Sequence, residues 1–147
     1  MGEGSKVEVI EIRTKAHTEL VPITHLINEA VKRSGVRRGA CILSSAHTTA
    51  GLTVNENSDP DVAHDLIYAL ERLAPWDDPN YRHGEGNSAA HVKTSLTGTS
   101  LTLIVEEGRL VLGRWQEVFL CEFDGPRSRS VYVQVIPAEN RAEEGRP

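Results

Sequence analysis

Three histidines of this chain stand among small or turn-forming residues: His47 in Ser44-Ser45-Ala46-His47-Thr48-Thr49-Ala50-Gly51, His83 in Tyr81-Arg82-His83-Gly84-Glu85-Gly86, and His91 in Asn87-Ser88-Ala89-Ala90-His91. Neutral imidazole is the commonest metal-binding side chain, and three imidazoles converging beside solvent make an open site of the catalytic zinc type. The spacing carries no HExxH-like signature, because His83 and His91 are too far apart for one helical turn, and only the fold could bring them to His47. Ordinary solvated or hydrogen-bonding histidines remain the alternative reading. His25 lies off the apolar stripe of its helix and His64 on the polar side of another, which suits surface positions.

Carboxylates and amides border the same segments. Asn55-Glu56-Asn57 follows the His47 strand pair, and Glu85 lies between His83 and His91. A carboxylate near a bound ion orients a ligand histidine or acts as a general base, so Glu56 and Glu85 are candidates, with Asn55 as a neighbouring polar contact. Lys93, Arg82 and Arg127 supply cationic material in or near loops and turns, and Ser88 could lead a helix whose first amides favour a phosphate. Gly113-Arg114-Trp115-Gln116 sets an aromatic beside an amide, which reads as a stacking wall with a hydrogen-bonding partner or as a core plug.

The elements that must position these residues follow from periodicity. Val7 to Arg13 alternates apolar and polar side chains as a strand, and a polar connector ends at Pro22. Ile23, Leu26, Ile27, Ala30 and Val31 recur at helical spacing, with Gly35 placed for a left-handed cap. Ala40 to Leu43 and Leu52 to Val54 read as two strands joined by the turn that carries His47. Asp59 caps a second helix with Pro60 in its first position, and Val62, Leu66, Leu70 and Leu73 mark its apolar face. Pro75 to Ala90 is dense in turn formers and reads as a long functional loop. A short helix is expected over Ser88 to Leu96, followed by strands over Ser100 to Val105, Arg109 to Leu112, Glu117 to Phe123 and Val131 to Ile136. The pattern predicts an α+β fold with a largely antiparallel sheet and two main helices.

Composition bounds the rest. The chain has 147 residues and a formal net charge of −5, with 39% hydrophobic and 25% charged residues. That suits one domain, 1–147, with an ordered core over about residues 6–137 and a charged tail. No apolar run approaches the ~20 residues that cross a bilayer, so no membrane partner is expected. The lack of a basic tract argues against nucleic acid. The start has no apolar secretory run, which gives a cytoplasmic expectation. Cys41 and Cys121 sit in apolar runs, as buried thiols do.

Taken together, His47 through Pro60, Tyr81-Arg82-His83 with Glu85-Gly86, Ala90 through Gly98, and Ser100-Leu101-Thr102-Leu103-Ile104-Val105 running to Gly113-Arg114-Trp115-Gln116 resemble the YjbQ-like family, also called the secondary thiamine-phosphate synthase family. Arg114 departs from the threonine usual there, and the loop between Gly86 and His91 is shorter than in many members. The resemblance implies a β-sandwich-like core, a homotrimer, and His47, His83 and His91 gathered around a metal or anion. It further implies metal-assisted coupling of hydroxymethylpyrimidine pyrophosphate with thiazole phosphate, a small phosphorylated substrate pair.

On that chemistry the three histidines would hold a divalent ion, zinc or magnesium. Glu56 or Glu85 would orient a ligand, while Lys93 and Arg127 would contact phosphates. Trp115, with Gln116 and Asn55, would meet the organic ring. Imidazoles suit zinc better than magnesium, which prefers oxygen ligands. A zinc-type hydrolase and a non-catalytic trimeric anion-binding protein are therefore the alternatives.

Overall fold

The computed structural model describes residues 6–139. Its strands and helices run β1 (Glu8–Arg13), β2 (Glu19–Pro22), α1 (Thr24–Ser34), β3 (Gly39–Ser45), β4 (Ala50–Glu56), α2 (Pro60–Leu73), α3 (Ser88–Thr97), β5 (Ser100–Glu106), β6 (Arg109–Leu110), β7 (Gln116–Glu122) and β8 (Ser128–Pro137). A five-stranded sheet has the order β1-β8-β3-β5-β6, and a three-stranded sheet the order β2-β7-β4. Every pairing is antiparallel. With three helices, this is the expected α+β architecture.

One apolar cluster joins the two sheets and α1. Ile10, Ile12, Cys41, Leu43, Val131, Val133 and Val135 of the larger sheet meet Leu52, Val118 and Leu120 of the smaller one, and Ile27, Ala30 and Val31 of α1 close the cluster. These positions alternate along the strands and recur at i, i+3 and i+4 on the helix, as one buried face requires. Burying a leucine or valine contributes roughly 1.5–3 kcal/mol, so this set is the main source of stability.

Local chemistry sets the helix ends. Ile27 and Val31 lie on the buried stripe of α1, and Gly35 closes it with φ 75°. Asp59 Oδ1 accepts the Asp61 N–H at 2.9 Å with Pro60 following it, the cap that the sequence predicts for α2. Yet α2 has no fully buried side chain, and Tyr68 and Leu73 are 56% and 72% exposed. In contrast α3 presses small residues, Ala89, Ala90 and Thr94, inward. Gly51 of β4 makes that approach possible: a Cβ there would lie 2.3 Å from Thr97 Oγ1 and 2.6 Å from the Gly98 carbonyl oxygen.

Three boundaries differ from the periodicity reading. The polar connector before Pro22 contains β2, whose four half-paired residues bond to the edge of β7 and are too short to show alternation. β6 has two residues, so Val111 and Leu112 lie outside it. β8 starts at Ser128, because backbone pairing with β1 carries the ladder through the polar residues before Val131. No helix among the described residues is long and apolar enough to cross a membrane.

Candidate functional site

The strand register divides the candidate residues between two ends of the smaller sheet. Ala50 pairs with Glu122 at one end of the β4–β7 ladder, and Glu56 pairs with Gln116 at the other. Six strand steps separate them, roughly 20 Å. His47 belongs to the first end. Asn55, Glu56, Trp115 and Gln116 belong to the second, so a single chain does not gather the whole predicted set at one point.

At the first end a buried ion pair organises the surroundings of His47. Glu122 and Arg129 have side chains 0% and 3% exposed. Arg129 Nε donates to Glu122 Oε1 at 2.8 Å, its Nη2 reaches Oε2, and Nη2 also donates to Thr49 Oγ1 at 3.0 Å. Thr14 Oγ1 donates to Glu122 Oε1 at 2.8 Å, and the Asp124 N–H donates to Oε2 at 2.8 Å. Burial alone pushes this carboxyl up, but the bonds from Arg129, Asp124 and Thr14 outweigh it and hold Glu122 below the usual carboxylate range.

His47 lies near this pair, in the β3–β4 turn, close enough to feel both charges. Its Nε2 accepts the Ser130 N–H at 2.8 Å, and the His47 backbone N–H donates to Ser45 Oγ at 3.2 Å. Burial and then the Arg129 charge push its pKa below the ordinary value, opposed in part by Glu122 and Glu11. Since Nε2 is occupied by a backbone donor, only Nδ1 remains for any other partner.

The network continues to the loop before α3. Asp124 Oδ2 accepts from Asn87 Nδ2 at 2.8 Å and from Arg127 Nη2 at 3.1 Å, and Asp124 Oδ1 lies 3.8 Å from His17 Nε2. His17 packs edge-on against Trp76, with ring centroids 4.5 Å apart. Trp76 and Asn87 thereby anchor both ends of the segment that carries His83. Arg127 also donates from Nε to the Asp124 carbonyl at 2.6 Å, which fixes its guanidinium at the turn while its side chain remains 52% exposed.

The loop and helix bring His83 and His91 together. Their rings meet edge to face at a centroid separation of 5.3 Å, and Glu85 Oε1 lies 3.5 Å from His83 Nε2. Both rings line an open hollow of about 330 Å³ with Ser88 and Val92, at the first turns of α3. Two imidazoles on one zinc at Zn–N of 2.0–2.1 Å would set their centroids roughly 5 Å apart, which this pair matches in distance alone, since an edge-to-face contact does not aim both nitrogen lone pairs at one point. Among the described residues, however, no three His, Cys, Asp or Glu side chains form a metal-binding group. The expected three-imidazole centre is therefore reduced, within one chain, to a pair, because His47 is turned to the backbone of β8.

The remaining candidates have local partners. Lys93 is 1% exposed and ion-paired with Glu71 of α2, and burial pushes its pKa down. Glu56 Oε2 accepts from Ser58 Oγ at 2.7 Å, and Asn55 Oδ1 accepts the Glu56 N–H at 2.7 Å. Gln116 Oε1 accepts the Gly113 N–H at 2.7 Å. Trp115 is 56% exposed, with the Arg114 guanidinium 4.9 Å from its ring.

Glu122, Arg129, Asp124 and Asn87 escaped the sequence reading. Glu122 left a signal, a charge inside the apolar run Phe119-Leu120-Cys121-Glu122-Phe123, which only a buried partner tolerates.

Comparison with known proteins agrees with this architecture. The family described as "UPF0047 protein YjbQ-like" matches residues 8–138. UPF0047 protein YugU of Bacillus subtilis is 42% identical over 130 residues, covering 88% of this chain and 98% of its own. A UPF0047 protein of Methanocaldococcus jannaschii is 48% identical over 128 residues, covering 86% of this chain and 91% of its own. A crystal structure of an uncharacterised family protein from Clostridium acetobutylicum superposes with a TM-score of 0.85 at 44% identity, over 88% of this chain and 99% of that one. A protein of unknown function from Sulfolobus solfataricus has the same TM-score at 30% identity, over 90% of this chain and 97% of that one. By the extent of these matches, the chain belongs to the YjbQ-like UPF0047 family.

Proposed function

We propose that the protein is a cytoplasmic enzyme acting on a small phosphorylated substrate at the His83–His91 hollow. Within that class we favour the reaction that the family resemblance implies, coupling hydroxymethylpyrimidine pyrophosphate to thiazole phosphate. The thiazole nitrogen forms the new C–N bond while the C–O bond to pyrophosphate breaks, and the bonding pair leaves on pyrophosphate. The observation that carries the reading is the pair of imidazoles in edge-to-face contact in an open hollow at the start of a ten-residue helix.

Each residue there has a role by its chemistry. The first amides of α3 favour a phosphate at the hollow. Glu85, with Oε1 3.5 Å from His83 Nε2, would help orient the His83 ring. His83 and His91 would hold a divalent ion, which when bound would neutralise charge on the departing pyrophosphate. Asn87 and Asp124 position the helix start from below. A homotrimer is part of the proposal, supported by the incomplete burial of α2 and its exposed Tyr68 and Leu73.

Incubating the purified protein with both phosphorylated halves and zinc or magnesium should yield thiamine phosphate and pyrophosphate, with the yield lost in His91→Ala. No coupled product at any metal loading rejects the coupling reaction. Because imidazoles favour zinc, a zinc-type hydrolase is the second reading. It is selected by phosphate release that a chelator abolishes and zinc restores, without coupled product.

A further inference from the structure

The larger sheet carries apolar side chains on both of its faces. Its inner face forms the core, with Ile10, Leu43, Val131 and Val133. An antiparallel sheet that leaves its other face in water ordinarily turns polar side chains outward. Here the outward positions set Val9 opposite Tyr132, Ile42 between Gln134 and Thr102, and Ala40 between Ile136 and Ile104. Val9, Tyr132, Ile136 and Ile104 are exposed, Ile104 by 64%. Among the described residues no helix covers this face, since α1 closes the core and α2 and α3 lie against the smaller sheet. An open hollow of about 400 Å³ at Ala40, Ile104 and Ile136 gives the face relief that an incoming side chain can fill.

The charges of this face stand at its rim. At one corner Glu11 accepts from Ser130 Oγ at 3.0 Å and Arg13 donates to Ser128 Oγ at 3.1 Å; at the opposite corner Arg38 lies 3.3 Å from Glu106. A neutral, apolar centre within a charged rim is the anatomy of a protein interface, and permanent interfaces are the more apolar ones. Five strands ~4.8 Å apart and about 20 Å long present roughly 400 Å² in plan, more with side-chain relief, enough for the centre of a contact of ~800 Å² per partner. The outer side of α2 is a poorer candidate, because Tyr68 and Leu73 stand there among Asp61, His64, Asp65 and Arg72. A permanent partner available in equal amount is another copy of the chain, the usual arrangement among soluble oligomers.

We propose that the outward face of the five-stranded sheet is buried against other copies of this chain, with Val9, Ile42, Ile104, Tyr132 and Ile136 at the centre of the contact. The inference takes the self-association proposed above as its premise and names the surface that makes it. It does not depend on the reaction at His83 and His91, whose failure would leave the interface standing, since product and mass are read separately.

Native mass spectrometry of the full chain reads the assembly. The unsubstituted protein should be a trimer. Ile104→Lys and Tyr132→Lys, each placing an ammonium where the contact excludes water, should raise the dissociation constant at least about a hundredfold. Both positions are exposed in the single chain, so both variants should keep the circular dichroism and cooperative unfolding of the folded protein. Ile104→Val should still assemble, and Tyr68→Ser and Leu73→Ser on α2 should leave the assembly intact. A dimer that both lysine variants dissociate retains this interface and rejects only the threefold symmetry. A monomer at up to about 100 μM overturns the proposal and leaves the face to a different protein. So does an oligomer that neither lysine variant weakens, or one that the α2 variants dissociate instead.

Discussion

The imidazole of His47 accepts the Ser130 backbone N–H on Nε2 at 2.8 Å, and this single bond joins the β3–β4 turn to β8 directly beside the Arg129–Glu122 ion pair. The ring must be neutral at Nε2 to accept. Burial and the neighbouring guanidinium favour the same neutral form.

A histidine with a folded pKa below its unfolded value of about 6.5 binds fewer protons when folded, so stability falls as pH drops through that value toward the folded pKa. Urea unfolding over this range should show a loss on the acid side. In His47→Gln, whose amide oxygen can still accept from Ser130 but cannot titrate, that loss should shrink. An acid limb unchanged by the substitution would assign it to another group.

The Glu122 carboxylate faces a cation with no route to water. Glu122→Ala leaves Arg129 buried and unpaired, and breaking such a pair costs about 3–5 kcal/mol. Chemical denaturation measures it. Because the folded pKa is depressed, the contribution of Glu122 is complete above its unfolded value of ~4.3 and is lost as pH falls through the folded one. A Glu122→Leu, Arg129→Met double variant should recover much of the loss, since both charges leave together.

Gly51 lets the end of α3 approach β4 closely, and its Ala variant tests that approach. The added Cβ would meet Thr97 Oγ1 at 2.3 Å and the Gly98 carbonyl at 2.6 Å. The hydroxyl can rotate away, but the carbonyl accepts the Leu52 N–H at 3.0 Å and moves only with the backbone. Gly51→Ala should cost about 1–3 kcal/mol, the usual range for overpacking. Adding Thr97→Ala should recover only part of it, and full recovery would place the strain in the side chain alone.

Short-range chemistry was legible in the sequence. The stripe of Ile27, Ala30 and Val31, the Gly35 cap and the Asp59-Pro60 helix start follow from spacing and capping, and the structure has all three. Pairing register was not legible, because nothing local states that Ala50 opposes Glu122 while Glu56 opposes Gln116. That register sends Asn55 and Glu56 to the end of the sheet away from His47. Nor could spacing show that the long loop is held by Trp76 on His17 and by Asn87 on Asp124, since those contacts join distant segments. The meeting of His83 and His91 is the part of the candidate site that the loop and α3 create within one chain.

Lys93 separates a phosphate contact from a structural bolt. Its side chain is 1% exposed and pairs with Glu71, whose own side chain is 43% exposed. Removing the lysine charge leaves a carboxylate that water can reach, so the usual cost of orphaning a buried ion does not apply. Lys93→Met keeps the buried stem and loses the desolvated ammonium; its stability should match or exceed that of the unsubstituted chain by up to ~1–4 kcal/mol. Lys93→Ala should instead lose about 2 kcal/mol or more, because it empties packed volume between α2 and α3. Thermal unfolding of the two variants checks the order. If the amine met a substrate phosphate, Lys93→Met would fold normally yet raise KM for the phosphorylated substrate. The geometry predicts an unchanged KM, since the Nζ atom is engaged with Glu71 and the chain presents no other face of it to solvent.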